Sequence, residues 1–218
     1  MEIHRHLDRD LDRLRDRVLL LGGETETALQ RAMFALIERD TVTAREVLDH
    51  DDAIDQLELE IDRACIDIIA LRQPAARDLR FVISVAKITP ILERIADHAC
   101  NIARVAIDLN DEPQLKPYVD LPRMAEHASG MLRSALDSFT SGDAAAARAI
   151  IDRDDDVDIL YDRIFQDLIE MMVTDSAITP RARAALRRQT HRAHRRLRHR
   201  HLRVTVYLTE AAIIKHQN

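Results

Sequence analysis

The sequence predicts an all-α protein made of two tandem three-helix bundles, the second with an aberrant last helix. Three observations predict it. Turn-forming residues are scarce, with Gly 4 and Pro 6 in 218 residues, which removes the punctuation that β architectures need. Apolar residues recur at the spacing of a helix face over long stretches. The pattern also restarts midway, as an internal repeat. The apolar share of 46% is that of a globular chain. Aromatics at 3%, with no Trp, argue against a sheet sandwich or a base-stacking platform.

The first helix is expected from Glu2 to Glu38, with Leu7, Leu11, Leu14, Val18, Leu21, Leu29 and Met33 on one face. Gly22-Gly23 interrupts that face and is expected to loosen the helix. A second helix is expected from Thr43 to Leu71, with Val47, Ile54, Leu57, Ile61, Cys65, Ile68 and Ile69 facing the core. Gln73-Pro74 ends it, and Pro74 suits the start of a third helix running from about Ala75 to Leu109. The proline-bearing stretch 110–121 reads as a linker between a first unit, 1–109, and a second, 122–218. In the second unit helices are expected over Met124–Phe139, Asp143–Val173 and from Thr179 onward.

One constant offset superposes the two halves. It carries Leu29 onto Leu132, Ala32 onto Ala135, Asp40 onto Asp143, Ala44-Arg45 onto Ala147-Arg148, Asp55 onto Asp158 and Ile61 onto Ile164. Charged and apolar positions match together in one register, so the chain holds two copies of a helical unit of roughly 100 residues.

The two cysteines, Cys65 and Cys100, sit in apolar helical stretches without CxxC spacing and read as buried free thiols. No signal-peptide core and no apolar run of membrane-span length occurs, so a cytoplasmic location is expected. The net charge of -6 conceals an asymmetry: residues 181–203 hold ten Arg, four His and no acid.

Three acidic pairs stand four residues apart: Asp51/Asp55, Glu93/Asp97 and Asp154/Asp158. At that spacing both carboxylates leave one helix face a turn apart and repel, unless a hard cation bridges their oxygens. In a chain with 32% charged residues many such pairs are plain solvated surface. Repetition in both halves singles out Asp51/Asp55 and Asp154/Asp158, and the apolar flanks Leu92, Ile95, Ala96 and Ala99 single out Glu93/Asp97. Asp49 and Asp152 read as acids serving a helix N-terminus, and His98 as a surface histidine.

The stretch Arg72-Gln73-Pro74-Ala75-Ala76-Arg77-Asp78-Leu79-Arg80, followed by Leu92-Glu93-Arg94-Ile95-Ala96-Asp97, resembles the first repeat of the PhoU family of bacterial phosphate-signalling regulators. The likeness covers about residues 1–180. It implies two three-helix bundles and a regulator rather than an enzyme, repressing phosphate uptake and phosphate-responsive two-component signalling. It implies as partners the phosphate ABC transporter's ATPase, the sensor histidine kinase and a second copy in a homodimer, with no nucleic acid. It also implies metal, with iron, zinc, manganese or magnesium on Asp51, Asp55, Glu93, Asp97, Asp154 and Asp158. Pro90 departs from the pattern one turn before Glu93, where it is expected to tilt that motif. The rival from another class is a di-metal carboxylate enzyme, which usually needs Glu-x-x-His ligands that this stripe lacks.

The second repeat should carry its own Glu-Arg-Ile-x-Asp near residue 192. The sequence there reads His191-Arg192-Ala193-His194-Arg195-Arg196 instead. One choice of codons for Arg192–Arg196, regrouped one base along, reads Glu-Arg-Ile-Ala and then an acid. Residues 188–218 are therefore expected to be a frameshifted tail, and the second unit less stable than the first. The alternative is an Arg/His tail that binds nucleic acid through phosphate neutralisation. Resequencing the locus decides between them: a slipped frame supports the first reading, and an intact frame with this tail shared by close relatives contradicts it.

Overall fold

The computed structural model describes residues 2–111, Gln114, 118–151 and 153–174. The Arg/His segment, and with it the frameshift expectation for 188–218, lies outside the described residues. Among the described residues there are helices and no strand: α1 (Glu2–Ile37), α2 (Thr41–Asp49), α3 (Asp51–Arg72), α4 (Ala76–Asn110), α5 (Asp120–Ser141), α6 (Ala144–Ile151) and α7 (Asp154–Thr174).

The apolar stripes decide the packing. Helix α1 buries Leu14, Val18 and Leu21 against Val85, Ile88 and Leu92 of α4. Each such side chain contributes about 1.5–3 kcal/mol when fully buried. Farther along the pair the buried residues are small: Ala28, Ala32 and Ala35 on α1, with Ala96, Ala99, Ala103 and Ala106 on α4. Helix α2 fills in there with Ala44 and Val47, and α3 covers the other end with Ile54, Ile61, Cys65 and Ile68. Ile69, expected to face the core, is instead left 37% exposed. Both cysteines are buried free thiols, and burial pushes each thiol up to about 12.

The repeat is visible in the caps. Arg39, at φ 59, and Gly142, at φ 68, occupy equivalent left-handed positions. The next residues, Asp40 and Asp143, cap α2 and α6. Asp40 accepts from the backbone N–H groups of Val42 and Thr43, and Asp143 from those of Ala145 and Ala146. Gly142 reaches that conformation freely. Arg39 is held in it while its guanidinium donates to the last carbonyls of α4, Leu109 O at 3.0 Å and Asn110 O at 2.9 Å.

Four expectations are corrected. The helix expected over Thr43–Leu71 is two, parted at His50, whose N–H turns back to Glu46 O at 3.2 Å. The helix expected over Asp143–Val173 is likewise α6 and α7. Asp49 therefore ends α2, and the acids in the first turn of α3 are Asp51 and Asp52. Helix α4 begins at Ala76, with Pro74 buried in the preceding turn rather than opening the helix.

Gly22-Gly23 does not interrupt α1. Gly22 instead admits α5: a Cβ there would stand 2.7 Å from both methyls of Leu136, whereas one on Gly23 would meet nothing within 4 Å. Helix α5 packs on α1 through this contact and an Arg133–Glu26 ion pair, while its Phe139 stacks on Phe81 of α4, ring centroids 6.0 Å apart. Helix α1 is thus a wall common to both units. Gly23→Ala should stabilise the chain by about 0.5–1 kcal/mol through helix propensity. Gly22→Ala should forfeit that gain and lose about 1–3 kcal/mol by overpacking Leu136. Denaturant melts of the two variants check the opposite signs.

Candidate functional site: an acidic groove between α3 and α4

Helices α3 and α4 run antiparallel from the turn at Gln73–Ala75. Their register is marked by the Cys65 thiol, 3.8 Å from Val82 O. Counting away from that point at 3.6 residues per turn, Glu58, Asp55 and Asp51 of α3 come to lie along Glu93 and Asp97 of α4. The two pairs expected in the first unit are therefore brought together across one groove. Their mutual field bears this out: Asp55 is raised by burial and by Asp51, Asp97 and Asp52.

Glu93 is the most perturbed carboxyl there. Burial, then the charges of Asp97, Glu58 and Asp55, and a hydrogen bond to Asp97 push it up to about 7. Glu58, which sequence reasoning missed, is half-buried beside it and raised by burial and by Asp55 and Asp62. Its signal was the i,i+3 spacing from Asp55, which puts it on the same flank. Cys100 closes the far end, its thiol 3.9 Å from Val47 O and pushed up by burial and by the nearby Asp51. No ion pair with a described residue engages Asp51, Asp55, Glu58, Glu93 or Asp97. Pro90 lies inside α4, and the helix continues through it. Thr89 donates to Val85 O and Thr25 to Leu92 O on either side.

The other candidates fall elsewhere. His98 follows Asp97 by one residue and so leaves α4 about 100° around from the groove stripe. Asp154 and Asp158 lie in the first turns of α7, which packs on α5 rather than on this groove. Their expected partner acids near residue 192 lie outside the described residues. Among the described residues no group of three or more His, Cys, Asp or Glu side chains converges tightly enough to enclose an ion. What the groove offers is a row of hard oxygen donors with unneutralised charge.

A carboxyl raised from 4.5 to about 7 loses its proton later in the folded than in the unfolded state. The stability it confers is thus present at low pH and lost as pH rises between those values. In chelator-treated protein the melting temperature should fall from about pH 5 to about pH 7, and Glu93→Gln should remove much of that fall. Thermal melts across the range, wild type against variant, check it.

Comparison with known proteins places this chain in a family. A family model described as the PhoU domain matches the chain twice, over residues 18–106 and 121–196, once per copy of the repeat. The second match runs past the point where the reading frame is expected to slip. The phosphate-specific transport system accessory protein PhoU homolog of Aquifex aeolicus is 36% identical over 213 residues, 97% of this chain and 96% of its own length. Escherichia coli PhoU, a phosphate-specific transport system accessory protein, is 35% identical over 177 residues, 81% of this chain and 73% of its own. The crystal structure of PhoU from Pseudomonas aeruginosa superposes with a TM-score of 0.80 at 32% identity, covering 95% of this chain and 96% of that one. With both repeats matched and the helical architecture shared nearly end to end, this chain belongs to the PhoU family.

Proposed function

We propose that the chain is a negative regulator of phosphate uptake and of phosphate-responsive two-component signalling. It acts as an adaptor on the cytoplasmic side of the phosphate transporter. The observation that carries this reading is the likeness, along nearly its whole length, to a protein named as an accessory of the phosphate-specific transport system. Its partners are the transporter's ATPase and the sensor histidine kinase, and it works as a homodimer. No described helix is long and apolar enough to cross a membrane, so membrane contact runs through the partners. Relatives are named as accessory proteins rather than enzymes, which favours an adaptor over the di-metal enzyme.

The groove serves this role as a metal site. Asp51, Asp55, Glu93 and Asp97 hold the cation, Glu58 borders it, and Asp154 and Asp158 form the second copy's half-site. The donor set is all hard oxygen, suited to iron, manganese or magnesium and tolerable for zinc. A bound cation neutralises the crowded carboxylates and takes the place of the Glu93 proton. It thereby favours the arrangement in which α3 and α4 hold their acids side by side.

Phosphate uptake in the source bacterium tests the reading. Deletion should raise uptake in phosphate-rich medium, and the wild-type protein should restore repression. A Glu93→Gln, Asp97→Asn double variant, expressed at the same level, should not. Unchanged uptake on deletion would overturn the regulator. Full repression by the double variant would overturn the role of the metal groove.

A further inference from the structure

The groove does not end at its carboxylates. Toward the α3–α4 turn the same two flanks become apolar. On α3 the stripe that carries Asp51, Asp55, Glu58 and Asp62 continues as Ile66, 60% exposed, and Ile69, 37% exposed. On α4 the stripe that carries Glu93 and Asp97 continues past Pro90 to Ile83, 41% exposed, and Leu79, 36% exposed. The Cys65–Val82 contact sets these residues opposite one another, Ile66 beside Ile83 and Ile69 beside Leu79. Leu59, 48% exposed, and the exposed Pro90 stand midway. Helix α5 packs on α1, and α6 and α7 pack on α5, so no described element substantially covers this face.

Isolated surface leucines need no explanation, but large apolar side chains facing each other across two helices form a patch of the kind that binds a partner. We infer that this face is the docking groove for a basic amphipathic helix of a partner protein. The partner's apolar residues, at i, i+3 and i+7 spacing, seat on Ile66, Ile69, Leu79 and Ile83, and its Lys or Arg residues meet Asp62 and Glu58. The trough between two antiparallel helices takes a third helix along its length. From Asp51 to Ile69 it is about 27 Å long at 1.5 Å per residue, enough for five turns. Charge fixes the partner's sign. Asp62 and Glu58 border the patch with no ion pair to a described residue, and Lys87 is the base nearest the middle of the α4 flank. A second copy of this chain is the poorer occupant. Two such grooves laid antiparallel would set apolar end on acidic end, and laid parallel they would set acid on acid.

Apart from Glu58, which borders it, the residues substituted in the test lie outside the proposed metal set, and the titration runs in chelator, so docking stands or falls apart from the metal reading. The full chain in chelator is titrated into a fluorescent synthetic helical peptide of about 20 residues. The peptide carries leucines at the stated spacing in one half and lysines at the same spacing in the other. Saturable binding is expected. An Ile66→Ser, Ile83→Ser variant and a Glu58→Gln, Asp62→Asn variant should each weaken it about tenfold, near 1.4 kcal/mol, with unchanged circular dichroism. Phe34→Ser, at an exposed apolar site on α1, should leave it unchanged. The inference is overturned by an absence of saturable binding, or by equal binding of a peptide with glutamates in place of the lysines. Undiminished binding by the isoleucine variant overturns it too, as does a self-association that this variant abolishes, because a second copy would then cover the face.

Discussion

Helices α1 and α4 run together for almost their whole length, and the other described elements take their places from that seam. Its two ends are built differently. Leucine, isoleucine and valine fill one end, which α3 covers. Alanine fills the other, which the short helix α2 covers. The break at His50 falls between them, so α2 and α3 meet the seam where its side chains differ in size. Gly22 sits on the back of the seam, where a missing Cβ lets Leu136 and α5 come close. One long helix therefore serves two units, and the acidic groove on α3 and α4 is held on its opposite side.

Duplication supplied the parts but not equal surroundings. The backbone caps at Asp40 and Asp143 repeat, each carboxylate taking two N–H groups, as does the burial of Ala44 with Ala147 and of Val47 with Ile150. The left-handed residue before each cap differs. In the second copy it is Gly142, which adopts the conformation freely; in the first it is Arg39, which meets the steric cost of a side chain there and ties the α1–α2 turn to the end of α4.

Most of this was legible in the sequence, and the misses have physical causes. Helical spacing located the helices and the core because burial enforces it, and the offset between halves exposed the duplication. Periodicity is blind to a one-residue break that keeps the apolar faces nearly in phase, so α2 and α3 read as one helix. It also reads glycine as weakness, since the neighbour that needs the space lies far along the chain. In the groove, Asp51, Asp55, Glu93 and Asp97 announced themselves as i,i+4 pairs. Glu58 did not, because its place depends on which flank of α3 faces α4. The apolar continuation through Ile66 and Ile83 was hidden for the same reason, since each isoleucine alone looks like core.

The groove holds like charges close together with no ion pair to a described base, and burial, with that crowding, keeps the Glu93 proton on up to about 7. Such crowding is a standing cost unless a cation relieves it. The direct test is calorimetric titration of the metal-free full chain with manganese at about pH 6, repeated in buffers of different ionisation enthalpy to count protons. A carboxylate metal site requires saturable binding that releases about one proton in the wild type and much weaker binding in Glu93→Gln, Asp97→Asn. Binding without proton release, or binding that survives in the double variant, would contradict it.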